Sequence, residues 1–598
     1  MDTPLPSNDL LEDFSNAIPW QTIEDKKEKF NAALKQAQHD EDEFTVEKFS
    51  EIIDAPIITS YDLSKPKSAN VILAEINGKK FVLGSLVSER YRSGKSFIKS
   101  IVSYNLNPSV NQSNIHETDT PATRIRAMGA ELELGLLKPD GEGPSEQEME
   151  SYMRAYEVHA RHLGIPPNVD REACQYLVEA HVAPGIGYHR TRQSLDGIMK
   201  ALVASSEETG LITAMMSAYP VESDFKLTDN PKVHTAVDLM VEVNHLFPEY
   251  DERLKDVIAR YNMTDSTNIV EAFRLQGCHI HLDLAGRSEA LGLLTFYTML
   301  RSASALANSA VLKGGPFVNG TCDHELLCTR EYLRRATVTG RYFETPLSPH
   351  LQENGLERFG QLMLDERVNA VARAMLYEDG LGVPISSMHN PIGRVRPDLA
   401  MSKRICTVES TGMPVNISAS RQAAVLTDFE FSHALVESYF RKYGCDLEPM
   451  MEDRALWSII GPLDTADFVR QQDISDRIGS EMVVKTATGD KMALAEFYEM
   501  KRLYMHRNLS DIAHIIPRDI DDVYYSLQRM LQPPSGKQAQ TVEQYINDYQ
   551  LRSTGNWGKI LLNTFAEEGG VPGTHNPDAV LRVVHRIHNA MRERYLEN

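Results

Sequence analysis

Residues 129–135 read Gly-Ala-Glu-Leu-Glu-Leu-Gly. Successive side chains of a strand point to opposite faces. Glu131 and Glu133 therefore share one side, while Ala130, Leu132 and Leu134 form an apolar side suited to a core. Two carboxylates about 7 Å apart on one strand face repel each other unless a cation lies between them. Hard divalent cations take oxygen ligands, so a metal with a phosphate-bearing substrate is one reading. The other is the solvated outer face of an amphipathic strand.

A second alternating stretch is Gly277-Cys278-His279-Ile280-His281-Leu282-Asp283. His279, His281 and Asp283 fall on one side of it. Neutral imidazole and carboxylate ligate metals or contact nucleotides. An exposed polar face, or core histidines bonded to carbonyls, would look the same. Two single strand carboxylates add to the set. Glu179 lies in Tyr176–His181, and Glu409 follows Thr407-Val408 just before a Thr411-Gly412 turn. Either could equally be a surface glutamate. The segment from Ser309 to Arg330 is rich in glycine, including Lys313-Gly314-Gly315 and Asn319-Gly320. Backbone without Cβ atoms approaches a ligand closely, and Arg330 could clamp a carboxylate with two hydrogen bonds. A plain helix end capped by glycine is the simpler alternative. No P-loop, nucleophile elbow or dinucleotide fingerprint is present.

The elements that must position these residues alternate between strands and helices. The spacing predicts a hairpin at 71–83 around Asn77-Gly78 and a strand carrying Glu131 and Glu133. A helix at 145–163 opens with a Ser145/Glu148 capping box. Strands are expected at 175–182, 211–219, 273–284 and 405–409. Helices are expected at 190–205, 288–312 and 422–441. Residues 1–48 are polar and acidic, 49–120 form a small β-rich region, and 121–440 hold the chemistry. Residues 441–598 are mainly helical, with a helix opened by Asn576 and Pro577. The mixture indicates α+β or mixed α/β.

Composition sets limits. The chain has 598 residues, 42% hydrophobic and 24% charged, with a formal net charge of −22. That balance argues against a general binder of nucleic acid or anionic membranes. The Ala290–Leu312 stretch contains Arg301 and Asn308 and is too polar to read as a membrane span. Six dispersed cysteines without a CxxC pair fit reduced thiols. The acidic N-terminus lacks the apolar run of a signal peptide. A cytoplasmic location is expected.

Taken in order, these elements resemble the glutamate–cysteine ligase type 2 family. The order is an E-x-E strand, a strand Glu, a G-C-H-x-H strand, an apolar helix running into a glycine loop and arginine, then a T-V-E strand. More broadly they look like the carboxylate–amine ligase superfamily that includes glutamine synthetase. The resemblance covers about 125–440. It implies an antiparallel-rich curved sheet with flanking helices, ATP and Mg²⁺ as cofactors, and small-molecule substrates: glutamate or a similar acid, and an amine such as cysteine. It implies that Glu131, Glu133, Glu179, His279 and Glu409 hold metal and that His281 and Lys313 lie by the nucleotide. By the same resemblance Arg330 engages the acid. The family has an arginine two residues after the last Glu, whereas Ser410 and Thr411 stand here. Arg404 or Arg421 would have to replace it. A guanidino-kinase-like phosphotransferase, or a degenerate ligase domain that binds nucleotide or amino acid as a regulator, stays open. So does a homo-oligomer.

Overall fold

The structure is a computed structural model. It describes residues 57–58, 69–76, 79–90, 96–103, 128–185, 187–223, 226–229, 248–263, 274–283, 298, 300–337, 393–396, 407–443, 446–512 and 515–597. The polar stretch 1–48 lies outside these residues.

An antiparallel sheet near the N-terminus runs in the order β1 (Ile57–Ile58), β2 (Ala69–Ile76), β3 (Lys79–Arg90), β4 (Ser96–Ser103). Ile76 pairs with Lys79, the register of a hairpin closed by two residues. Asn77 and Gly78 themselves lie outside the described residues.

A seven-stranded sheet positions the candidate site. Its strands are β5 (Met128–Leu137), β6 (Val169–Arg171), β7 (Leu177–Gly185), β8 (Ile212–Ala214), β9 (Gly277–Asp283), β12 (Gly393–Arg396) and β13 (Thr407–Pro414). The short hairpin β10 (Phe317–Val318) and β11 (Thr321–Cys322) stands apart. The sheet order is β12-β13-β9-β5-β7-β6, with β8 also on β5, and every pairing is antiparallel. β5 is central because Ala130, Leu132 and Leu134 pair with Ile280, Cys278, Ala180 and Val178, and all of these are buried. That apolar layer fixes the register, since a slip of one residue would turn the glutamates inward.

Helices cover the apolar side. The capping box predicted at Ser145 opens α1 (Glu146–Leu163), and Gly164 ends it in the left-handed conformation. Tyr152 of α1 hydrogen-bonds Thr213 of β8 and the carbonyl of Leu202 in α2 (Tyr188–Thr209). Of the apolar helix expected over 288–312, residues 288–297 and 299 lie outside the described residues, Thr298 and Leu300 are helical, and the helix is interrupted at Arg301. It resumes as α3 (Ala303–Leu312), capped by Ser302, whose hydroxyl accepts from Ala305. The backbone of Arg301 and Ser302 instead bonds Leu463 and bridges Pro462, which interrupts the helical ladder. The strand expected at 211–219 is confined to β8. α4 (Arg330–Arg334) follows the glycine segment, and α5 (Ala419–Tyr443) replaces the expected 422–441 helix with a slightly longer one.

The C-terminal region is helical, with α6 (Thr465–Ile478), α7 (Leu494–Arg507), α8 (Pro517–Leu531), α9 (Trp557–Glu567) and α10 (Pro577–Arg592) among its elements. Asn576 caps α10 and Pro577 occupies its first turn, as predicted. One continuous apolar core includes residues from Met128 to Met591. Lys501 of α7 forms a buried ion pair with Asp428 of α5 at 2.6 Å. No helix among the described residues is long and apolar enough to cross a membrane. Cys174, Cys278, Cys322 and Cys328 are buried free thiols.

Glu430 of α5 ties the end of β7 to this helical layer. Its carboxylate accepts from the backbone N–H of Gly187, which caps α2 with φ +81°. Burial pushes Glu430 up from an ordinary 4.5 to about 7; the Gly187 N–H opposes the rise and Asp519 adds to it. The folded state then holds a proton that the unfolded chain has released, so stability falls as pH rises from 4.5 to about 7. Glu430→Gln keeps an acceptor and has no charge to bury. It is expected to match wild type near pH 5 and to exceed it by up to roughly 3 kcal/mol at pH 8, read from denaturant midpoints. Equal pH dependence in both proteins would contradict this account.

Candidate active site

The strand registers set the polar residues side by side on the face opposite the apolar layer. Glu131 of β5 lies across from His279 of β9 and from His181 of β7. Glu133 faces Glu179, which faces Asp170 of β6. Glu409 of β13 faces His281. Six of the residues singled out in the sequence are thus neighbours without any bend in the chain.

Distances confirm the convergence. His279 Nδ1 is 3.4 Å from Glu131 and 3.8 Å from Glu409, and its Nε2 is 3.2 Å from Glu133. His281 Nε2 is 3.2 Å from Glu131. On the other flank, His181 lies 3.8 Å from Glu179 and 2.9 Å from Asp170. Two triads therefore share one carboxylate: Glu131 with His279 and Glu409, and Glu131 with Glu179 and His181. In each, the candidate ligand atoms lie within 4.8 Å of one another.

Electrostatics follow from this crowding. Burial would raise Glu131, but hydrogen bonds and charge from His279 and His281 outweigh it and hold the carboxyl well below the usual range. Burial raises Glu133, against the pull of His279 and Arg330. Burial likewise pushes Glu179 up to about 12, helped by a hydrogen bond to Glu172 and by the charges of Glu131 and Glu133. Burial opposes the charged form of His279, yet Glu133, Glu131 and Glu409 raise it.

The residues fit a divalent cation on a separate observation. Glu133 is 8% exposed, and its Oε2 has no hydrogen-bond partner among the described residues. A buried carboxylate oxygen left without a partner is costly. The carboxylate donors suit Mg²⁺ or Mn²⁺, and an imidazole among them favours Mn²⁺ or another transition metal. Imidazole and carboxylate ligate a metal only when deprotonated, so cation affinity is expected to fall as pH drops.

The basic residues are placed differently from expectation. Arg330 is 3% exposed; it donates to the Gln276 carbonyl and pairs with Glu331 at 3.0 Å. It lies so close to Gly277 that a Cβ there would fall 2.5 Å from its Nη2. Arg330 is thus buried at the start of β9, tied to the Gln276 carbonyl and to Glu331, and its charge acts on Glu133. Lys313 does not face the sheet: its ammonium is fully buried in an ion pair with Asp476 of α6. Arg421 is also away from the site, bonding the carbonyls of Val311, Ser553 and Gly555 and lying over the Tyr545 ring. Arg404 and the Asp283 side chain lie outside the described residues.

Four residues of this neighbourhood were not singled out in the sequence: Asp170, Glu172, His181 and Arg334. Glu179 and His181 repeat the i, i+2 alternation of Glu131 and Glu133, which was the available signal. Nothing local marks the others.

No protein-family model matches the chain, and no curated protein matches its sequence. Several solved structures are similar to it. A bifunctional glutathione synthetase from Pasteurella multocida is 11% identical, with a TM-score of 0.38, over 79% of this chain and 52% of that one. The chain thus spans about half the length of that protein. The ligase PafA, solved with the prokaryotic ubiquitin-like protein Pup, is 12% identical with a TM-score of 0.34, over 77% and 72%. A glutamate–cysteine ligase from Francisella tularensis, solved with AMP, is 10% identical with a TM-score of 0.40, over 78% and 89%.

Proposed function

We propose that the chain is an ATP-dependent carboxylate–amine ligase. It activates the γ-carboxylate of glutamate, or of a similar acid, as an acyl phosphate, which an amine such as cysteine then attacks. The observation that carries this reading is the pair of carboxylate–imidazole triads sharing Glu131 on one rigid sheet face. The ordered motifs of residues 125–440 support it.

A carboxylate is a poor electrophile, and phosphorylation supplies the leaving group. Phosphoryl transfer is catalysed mainly by positioning and by charge placed around the moving group. A divalent cation held here supplies positive charge to the ATP phosphates. Glu131, Glu133, Glu179, His279 and Glu409 are the residues that would hold it, with His281 beside them, 3.2 Å from Glu131. Adjacent strands keep these groups in place when the charge develops, so little reorganisation is needed. Residues 441–598 complete the core beneath.

The test is ADP release with ATP, Mg²⁺ and glutamate against a panel of amines, with the products identified. An amide product supports the ligase. A stable phosphorylated product would replace it with a phosphotransferase, and nucleotide binding without turnover with any amine would leave a regulator.

A further inference from the structure

We propose that His181 is a nitrogen ligand of a cation held beside Glu131 and Glu179, and that Asp170 is the residue that positions it. This rests on the ligase reading above, which puts cations on this sheet face, and adds to it one ligand and the carboxylate that orients it.

β6 is an edge strand of three residues whose side chains alternate. Val169 is buried in the core. Arg171 reaches α1, where its guanidinium meets the Glu146 carboxylate and its Nη2 donates to the Glu146 carbonyl at 3.3 Å. Asp170, between them, falls on the opposite side and lies directly across from Glu179. His181 is two residues further along β7, diagonal to Asp170, a spacing that long side chains bridge. Its Nε2 is 2.9 Å from Asp170 Oδ2, and its Nδ1 is 3.8 Å from Glu179 Oε1. Across β5 it faces Glu131.

An ionised carboxylate only accepts hydrogen bonds, so the neutral ring donates from Nε2 to Asp170 and keeps its lone pair on Nδ1, the nitrogen nearer Glu179. The ring of His181 and the carboxylates of Glu131 and Glu179 offer ligand atoms within 4.8 Å of one another. Glu133 is a separate pointer to a cation here. It lies directly across from Glu179, and its buried Oε2 has no hydrogen-bond partner among the described residues. A metal-bound histidine commonly donates its other ring N–H to a carboxylate, which fixes the tautomer and makes the ligating nitrogen more basic. Asp170 stands in that place. Its side chain is 71% exposed, so as a surface ion pair alone the contact would add little to stability. The effect of Asp170 is then expected on the metal and not on the fold. An imidazole at this position also biases it towards Mn²⁺ over Mg²⁺.

A purely structural pair would tie β6 to β7 and leave metal binding untouched. Titration of the full chain with Mn²⁺, the free ion being counted by its electron spin resonance signal, separates the two. Wild type is expected to bind two ions per chain. His181→Ala is expected to lose one of them. Asp170→Ala is expected to weaken that same ion by about 10–100-fold while the other holds within about twofold. Asp170→Asn keeps an oxygen acceptor and is expected to fall between Asp170→Ala and wild type. The histidine nitrogen coupling to bound Mn²⁺ in pulsed resonance should fall in His181→Ala, which loss of a ring that only pairs with Asp170 would not cause. Two ions of unchanged affinity in His181→Ala would overturn the ligand role, and two in Asp170→Ala the positioning role. Both results leave the ligase reading standing, because Glu131, His279 and Glu409 still hold a cation. A single ion in wild type that neither variant weakens would overturn this inference alone. Wild type that binds no Mn²⁺ would overturn the ligase reading and this inference with it. If the alanine variants do not fold by circular dichroism, Asp170→Asn decides: wild-type affinity for both ions there contradicts the proposal.

Discussion

Replacing Glu131 by Gln is expected to lower turnover by on the order of 10²–10³-fold or more, the scale of removing one preorganised charge partner from an active site. The size follows from geometry. Glu131 belongs to both triads, so one substitution weakens both candidate cation positions at once. Glutamine is nearly isosteric and keeps one oxygen, so the apolar side of β5, with Leu132 and Leu134 fully buried, is left unchanged. The defect should therefore appear in cation binding and not in assembly of the sheet. Ligands that bind only the native state raise its apparent stability. Mg²⁺ or Mn²⁺ with a nucleotide should raise the melting temperature of wild type, and Glu131→Gln should lose most of that rise. An unchanged rise in the variant would mean that the two triads do not hold the cations.

Trp557→Ala is expected to cost about 3–5 kcal/mol, the range for truncating a buried tryptophan. Trp557 is among the largest fully buried side chains. It stacks on Tyr545 with ring centroids 4.5 Å apart, and Tyr545 in turn lies under Arg421. On its other side it presses on Gly314, where a Cβ would fall 2.1 Å from the indole. Gly314 therefore needs to be glycine for packing, and the Lys313–Gly315 segment that leads to Arg330 and Arg334 is set by a residue more than two hundred positions later. Denaturation followed by circular dichroism should show the lower stability in a single transition. A separate early transition confined to the C-terminal helices would contradict the shared core.

Much of the site was legible because strand alternation is a strong local rule. Glu131, Glu133, His279 and His281 could be placed on faces from spacing alone, and the structure sets those faces together. The same rule also offered His181, two residues after Glu179. What spacing could not supply is lateral order. The meeting of Glu409 with His281 depends on β13 pairing with β9, a contact more than a hundred residues apart in sequence. The basic residues were the least legible. Lys313 and Arg330 sit in a glycine-rich segment that suggested a ligand loop, yet Asp476 and Glu331 bury both of them. Their partners come from α6 and α4, and the segment's glycines lie against Trp557 at Gly314, Ser217 at Gly315 and Pro577 at Gly320. The helix expected over 288–312 is interrupted at Arg301 and Ser302 for a similar reason, because the backbone there bonds the 462–463 segment.

The central claim is that a carboxylate is activated by phosphorylation on this face. Glutamate labelled with ¹⁸O in its γ-carboxylate tests it most directly, with ATP, Mg²⁺ and the best amine from the panel. Transfer through an acyl phosphate carries one carboxylate oxygen into inorganic phosphate. The account predicts labelled phosphate in step with ADP from wild type, and a much slower appearance from Glu131→Gln. ADP formed with unlabelled phosphate would contradict it.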